Sequence, residues 1–164
     1  MEGNSWKDKN KTIAASKNNN TYLAYQYFIN KGLTPAQASG IVGNLAQESG
    51  INLNPAAKNQ IGAVGIAQWL GNRKVNLQNF AKQEGKDITD LNLQLDFIWK
   101  EFNSYEKKSF NKLISTNHPS QAAEAFANHF ERSGEKAGEA GFDKRLNYAN
   151  QFHKSFGNVA PSLE

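Results

Sequence analysis

Helix-period apolar spacing runs through most of this 164-residue chain and breaks down once, between residues 50 and 72. There Asn52, Asn54, Pro55, Asn59, Gly62, Gly65 and Gly71 punctuate short apolar pieces. Such a pattern confines the fold to a helical body carrying one excursion of turns or a small, irregular strand hairpin, and it makes the backbone of that excursion a candidate functional surface. Before it, Tyr22, Leu23, Tyr25, Phe28 and Ile29 predict a first helix from about Thr21, closed by Gly32. Thr34 as N-cap and Pro35 in the first turn predict a second over 35–49, with Ala38, Ile41, Val42 and Leu45 on one stripe and Gly50 as its stop. After the excursion come Val75, Leu77, Phe80 and Ala81 up to Gly85. A helix opening near Thr89 or Asp90 follows, with Leu91, Leu95, Ile98, Trp99 and Phe102, and then a short one through Phe110, Leu113 and Ile114. Pro119 opens another, with Ala122, Ala123, Phe126 and Phe130 inward, and Leu146, Ala149, Phe152 and Phe156 mark a last one closed by Gly157.

The length suits one domain, and the aromatic content, 3 Trp, 5 Tyr and 10 Phe, suits a packed core. No stretch approaches the roughly 18 apolar residues of a membrane span, so membrane insertion is not expected. The absence of cysteine excludes disulfide frameworks, thiolate zinc sites and cysteine nucleophiles together. The net charge of +4 sits mostly near the start, where five lysines up to Lys31 face only Glu2 and Asp8. The near-neutral remainder argues against a large duplex-DNA footprint, whereas a basic arm favours anionic polymers such as nucleic acid or a Gram-positive wall. Residues 1–20 read as a flexible basic arm, 21–157 as the folded domain, and 158–164 as a tail whose final Leu163-Glu164 reads as a cloning remnant. Met1–Asn20 lacks the apolar run of a secretory signal, so export is expected by another route or after removal of a signal.

Chemistry concentrates at Gly43-Asn44-Leu45-Ala46-Gln47-Glu48-Ser49-Gly50. Glu48 lies seven residues after Ile41 and three after Leu45, which puts its carboxyl on the apolar stripe at the negative end of the helix dipole. Both effects push a carboxyl pKa upward, toward a group still protonated near neutral pH and able to act as a general acid. The alternative is a helix-end glutamate that turns outward. In Gly62-Ala63-Val64-Gly65-Ile66-Ala67-Gln68-Trp69, two glycines clear space beside the main chain, Gln68 offers an amide donor and acceptor, and Trp69 offers a flat apolar face. These parts suit a polyhydroxylated ring, or else simply a turn with a core aromatic.

Glu48-Ser49-Gly50, Asn54-Pro55, Ala57 and the Gly62-to-Gln68 run resemble the signature shared by goose-type lysozymes and lytic transglycosylases. More narrowly, Ile41 through Gly50, Gly65-Ile66-Ala67-Gln68-Trp69, Arg73 and Leu95-Asp96-Phe97-Ile98-Trp99 are similar to the phage tail lysozyme family, a resemblance that covers roughly residues 21–157. It implies a mainly α, lysozyme-like α+β fold, with a helical body and a small β-hairpin or irregular sheet beside a substrate groove. It implies peptidoglycan glycan strands as partner and substrate, with Glu48 as the acid that protonates the oxygen joining N-acetylmuramic acid C1 to N-acetylglucosamine O4. Gln68 and the backbone of Gly65 and Ile66 would line sugar subsites, and Trp69 would stack on a sugar or pack beneath the groove. The implied setting is extracellular or virion-associated, the domain acting on the bacterial wall as a monomer or as part of a larger virion or secreted protein.

Two departures bear on the reaction. A hydrolase ordinarily pairs its acid with a second carboxylate, and none lies between Glu48 and Glu84. Asp96 and Glu131 are the candidates, Glu131 the better because Phe130-Glu131-Arg132-Ser133-Gly134 resembles a recurring element of the phage tail family; the alternative pairs Glu131 with Arg132 or a neighbouring cation for structure. Lytic transglycosylases need no second carboxylate, since the muramic acid 6-hydroxyl closes an anhydro ring, but their late tyrosine is replaced here by phenylalanine in Ala125-Phe126-Ala127-Asn128.

His118, His129 and His153 fall on separate elements, no phosphate-binding loop or calcium loop is present, and neither a metal nor a cofactor is indicated. Glu106-Lys107-Lys108 and the stretch from Glu135 to Glu139, with Gly134, Gly138 and Gly141 around it, read as solvated surface and a flexible connection that could act over the groove. Two other function classes compete with the enzyme. A non-catalytic glycan-binding module of the same fold would keep Gln68 and Trp69 without needing the acid. A helix-turn-helix around Gly32–Pro35 would bind DNA, although Pro35 to Glu48 holds no basic residue.

Overall fold

The computed structural model describes residues 19–134 and 138–157. The arm expected over 1–20 lies outside them except for its last two residues, as does the tail 158–164. Among the described residues seven α-helices follow one another: α1 (Asn19–Asn30), α2 (Pro35–Ser49), α3 (Gly71–Glu84), α4 (Leu91–Phe102), α5 (Lys107–Ile114), α6 (Pro119–Ala125) and α7 (Ala140–Phe156), with a π-helical segment, Phe126–Glu131, running on directly from α6.

The core is organised around α2. Thr34 and Gln37 close its start reciprocally, the Gln37 N–H donating to Thr34 Oγ1 at 3.2 Å and the Thr34 N–H to Gln37 Oε1 at 3.1 Å, with Pro35 in the first turn. The expected stripe of Ala38, Ile41, Val42 and Leu45 is buried, but so is every other residue from Ala36 to Ala46. A helix enclosed on all sides needs small residues where its neighbours cross. A Cβ added at Gly40 would stand 2.5 Å from Ala122 Cβ of α6, and one at Gly43 would stand 2.7 Å from the Ala149 nitrogen of α7. A recognition helix must present its face to DNA, so burial of α2 removes the helix-turn-helix reading.

The mainly helical expectation holds for the molecule, but the strand hairpin expected between α2 and α3 does not. Among the described residues there is no extended ladder, only two isolated antiparallel bridges, Lys58 with Val64 and Val64 with Trp69. The cause is local. The backbone turns left-handed at Leu53, Gly62, Gly65, Gln68 and Gly71, and the Asn59 side chain accepts from the Ile61 and Ala63 N–H groups, so no run stays extended for more than a pair. The segment docks by burying Leu53, Val64, Ile66 and Trp69 in the common core. Gln94 of α4 pins it, accepting from Ile66 N–H at 2.9 Å and donating to the Pro55 and Ile88 carbonyls.

Two further differences concern periodicity. Leu23, Val75 and Ile114, counted inward by spacing, are exposed. On α7, which starts at Ala140, the buried residues are Phe142, Arg145, Ala149, Phe152 and Phe156, so an arginine and not Leu146 holds the stripe position.

Candidate functional site

Glu48 sits in the last turn of α2, its side chain 20% exposed and facing α7. There Arg145, only 4% exposed, brings Nη2 to 3.3 Å from Glu48 Oε1 and 3.5 Å from Oε2. The guanidinium is held from behind, Nη1 donating to Asn44 Oδ1 at 3.0 Å. Asn44, one turn before Glu48, is fixed in turn by donating through Nδ2 to the Gly40 and Ala123 carbonyls at 2.9 Å each. The apolar setting expected for Glu48 therefore contains a buried cation, and the carboxyl neither points into bulk solvent nor packs against hydrocarbon alone.

Glu131 ends the π-helical segment, where Arg132 turns left-handed at a φ of 52°. Its Oε1 is sealed from solvent and has no hydrogen-bond partner. Burial pushes its carboxyl well above the ordinary value of 4.5, and the nearby Glu48 charge adds to the rise, while Arg73 and Arg145 oppose it. Glu131 and Glu48, the two carboxyls singled out in the sequence, thus share one site. Of the structural alternatives for Glu131, pairing with Arg132 does not hold, since Arg132 bonds Glu106 at 2.8 and 2.7 Å from its two oxygens, while the neighbouring cations that act on Glu131 are Arg73 and Arg145. Glu106, expected at the solvated surface, is buried by that pairing. Asp96 stands elsewhere, accepting from the Tyr27 hydroxyl at 2.6 Å.

A second arginine reaches the site from the first turn of α3. Arg73 grips Glu101 of α4 with two bonds, Nε to Oε2 at 2.8 Å and Nη2 to Oε1 at 2.9 Å, and donates from Nη1 to the Phe130 carbonyl, next to Glu131. Burial works against its charge, but the Glu101 pair outweighs this and leaves the guanidinium above its ordinary range. Glu101, 2% exposed, also accepts from Trp69 Nε1 at 2.9 Å. Among the described residues Glu48, Glu101 and Glu131 thus meet Arg73 and Arg145, with Glu106 also acting on Arg73.

Sequence reasoning missed Asn44, Glu101 and Arg145. The signal available was a polar side chain recurring in a buried stripe: Arg145 falls three residues after Phe142 and four before Ala149, and Glu101 falls three after Ile98.

Of the expected sugar-lining residues, only Gln68 is partly exposed. It holds a left-handed φ of 56°, a strain that a non-glycine residue carries when surrounding structure dictates it. Its Nε2 donates to the Gly65 and Ala57 carbonyls, at 2.8 and 3.2 Å, leaving the carboxamide oxygen as the group it can offer a ligand. Gly65 is required by packing, since a Cβ there would meet Gln94 Oε1 at 2.9 Å and the Trp69 ring at 3.0 Å. Ile66 is fully buried, with its N–H given to Gln94. Trp69 is 1% exposed and packs edge-on against Phe97, so of its two expected places it takes the one beneath the surface. Among the described residues no three carboxylate or imidazole side chains converge as a metal-binding set.

Comparison with curated proteins gives no match. The sequence profile of the phage tail lysozyme family matches residues 19–156, spanning every described helix. The chain belongs to that family, the phage tail lysozymes, whose lysozyme-like action is directed at peptidoglycan.

Proposed function

We propose that the protein is a muramidase, cleaving the β-1,4 bond between N-acetylmuramic acid and N-acetylglucosamine, with Glu48 as general acid. The observation that carries this reading is the carboxyl pair at the end of α2: Glu48 is partly open to solvent, and the Glu131 carboxyl beside it, with its Oε1 sealed, is pushed well above the ordinary carboxylate range by burial and by the Glu48 charge. Glu48 is the member of the pair that a sugar can reach. The proton the pair holds passes from Glu131 to Glu48 and on to the glycosidic oxygen as the bond to C1 breaks, and the C1 cation is then taken by water, which returns a proton to the pair. Gln68 offers its carboxamide oxygen to a sugar hydroxyl or N-acetyl N–H, and the Gly65–Trp69 turn supports it from below.

One observation favours a second outcome for the C1 cation. With its Oε1 sealed and its carboxyl pushed upward by burial, Glu131 is poorly placed to serve as the second carboxylate that activates water. Closure by the muramic acid's own 6-hydroxyl needs none. Mass spectrometry of released muropeptides separates the two, since anhydro ends are lighter by one water.

Clearing of purified walls tests the assignment. Glu48→Gln, verified as folded, is expected to clear walls about 100-fold or more slowly than wild type; an unchanged rate overturns the role of Glu48. Wall binding by the wild-type protein with neither clearing nor release of muropeptides would favour the non-catalytic glycan-binding module instead.

A further inference from the structure

We propose that a cationic cavity between α5 and the π-helical segment binds the free carboxylates of peptidoglycan stem peptides and so helps to seat the strand that is cut at Glu48. The proposal rests on the muramidase reading for its choice of substrate. The cavity encloses about 370 Å³ and is lined by Glu106, Lys108, Ser109, Lys112, His129 and Arg132, with the exposed Tyr105 ring as its apolar part. Lys108 and Lys112 stand one turn apart on α5, and no acid occupies the helix positions three or four residues from either. Among the described residues neither lysine forms an ion pair, so two like charges stack on one helix face and repel one another. Arg132 is fixed in place but only partly spent. Its Nη2 bonds both Glu106 oxygens, and Glu106 Oε1 also accepts from Ser109 Oγ at 3.1 Å, a hydroxyl that lies 2.9 Å from the His129 carbonyl. The Nε–H and the Nη1 hydrogens of Arg132 have no partner among the described residues, which leaves planar donors suited to a carboxylate.

Among the described residues Glu106 is the one carboxylate on the wall, and Arg132 balances it, so Lys108 and Lys112 leave the cavity positive. Such a cavity takes an anion, and its position decides which. Arg132 follows Glu131 directly, their Cα atoms about 3.8 Å apart, and Glu131 feels the charge of Glu48. A glycan strand seated at Glu48 carries stem peptides on its muramic acid lactyl groups, and a stem of four or five residues extends about 13–18 Å. Its free carboxylates are thereby tethered near Arg132, at a local concentration that an untethered anion does not reach. Phosphodiesters of other wall polymers run along separate chains and keep no fixed relation to the bond at Glu48.

The test titrates the full chain, labelled for amide NMR, with a soluble stem tetrapeptide, L-Ala–γ-D-Glu–L-Lys–D-Ala. Saturable shifts are expected at amides of Lys107–Ile114 and at His129 and Arg132. In the double variant Lys108→Gln with Lys112→Gln, both changes being at exposed positions, the affinity is expected to fall about fivefold or more. The same peptide with its carboxylates amidated is expected to leave these amides unmoved. A free peptide that shifts nothing there, or an amidated one that binds equally well, would overturn the proposal. Glycerol phosphate is titrated in parallel: if it fills the cavity and the peptide does not, the site serves phosphodiesters and the stem-peptide assignment is overturned. On walls stripped of phosphate polymers, the double variant is expected to release glycan fragments about fivefold or more slowly than wild type. Once an amidase has removed the stems, the two proteins are expected to cut at the same rate. A wild-type rate on stem-bearing walls, or equal slowing on both substrates, would overturn the seating role. If Glu48→Gln clears walls normally, the muramidase reading falls, and the peptide titration still judges the cavity.

Discussion

A carboxyl buried without a hydrogen-bond partner on one of its oxygens makes its protonation state part of the protein's stability. The folded-state pKa of Glu131 lies well above its ordinary value of 4.5, so the folded protein binds a proton that the unfolded chain releases first as pH rises. The stability this gives is fully present below the unfolded pKa and is lost as pH rises through the folded one. Glu131→Gln keeps a neutral, isosteric side chain and should abolish that loss. Its melting temperature is expected to approach or fall below wild type near about pH 5 and to exceed it increasingly toward about pH 8. Scanning calorimetry at several pH values checks this, and a constant gap between the two proteins would mean that Glu131 does not titrate in that window. Both members of the carboxyl pair were legible in the sequence, Glu48 from its stripe position and Glu131 from its motif. Their surroundings were not, because an apolar stripe implies desolvation but does not disclose a cation from another helix. Arg145 was hidden because spacing alone allows Leu146 to be counted as the inward residue, and only the packed helix decides between neighbours.

At the level of elements, the close crossings of α2 matter most. The Gly40 carbonyl accepts from Asn44, and the Gly40 Cα faces Ala122 and Ala123 so tightly that a Cβ would stand 2.6 Å from the Ala123 nitrogen. Gly40→Ala must therefore push α6 outward. Overpacking of this kind costs about 1–3 kcal/mol, against a gain of up to about 1 kcal/mol from better helix propensity. The same displacement draws the Ala123 carbonyl away from Asn44, so wall clearing should fall along with stability. Gly32 provides the contrast: it turns left-handed at a φ of 96° in open space, and Gly32→Ala should lower stability by roughly 1–2 kcal/mol through backbone strain while clearing stays at the wild-type rate. Denaturant titration with a parallel turbidity assay measures both quantities, and equal activity in the two variants would break the link between the α2–α6 crossing and the site. The helices themselves were readable because amphipathic spacing at 3.6 residues is a strong signal. The π-helical winding of Phe126–Glu131 was not, since Ala122, Ala123, Phe126 and Phe130 fit an ordinary α-helical stripe equally well. Nor was the absence of strands between α2 and α3, because asparagine side-chain turns and left-handed residues interrupt extension without erasing the apolar pieces that resemble short strands.

Across the whole molecule, one line of contacts connects the turn-rich excursion to the carboxyl pair. Trp69 Nε1 donates to Glu101, Glu101 holds Arg73, and Arg73 bonds the Phe130 carbonyl beside Glu131, lying 4.5 Å over the Phe130 ring. No local pattern could reveal it, since each link joins distant parts of the chain; the fold class followed from periodicity, whereas the charge balance of the site depends on tertiary packing. Cutting the line at Glu101 separates its structural from its electrostatic part. Glu101→Gln retains an acceptor for Trp69 but removes the charge that binds Arg73, and breaking so enclosed a pair should cost about 3 kcal/mol. The electrostatic consequence has a definite sign. Glu101 raises the Glu131 pKa and Arg73 lowers it, so losing the Glu101 charge and releasing Arg73 both draw Glu131 back toward its ordinary value. A smaller upward shift means a smaller loss of stability with rising pH. The Glu101→Gln protein should therefore be less stable than wild type at every pH, yet its melting temperature should decline less between about pH 5 and about pH 8. Adding Glu131→Gln should then raise stability near pH 8 by less than it does in the wild-type background. If the second substitution is worth as much in both backgrounds, the excursion and the carboxyl pair are electrostatically independent, and Arg73 and Glu101 serve only to hold the fold together.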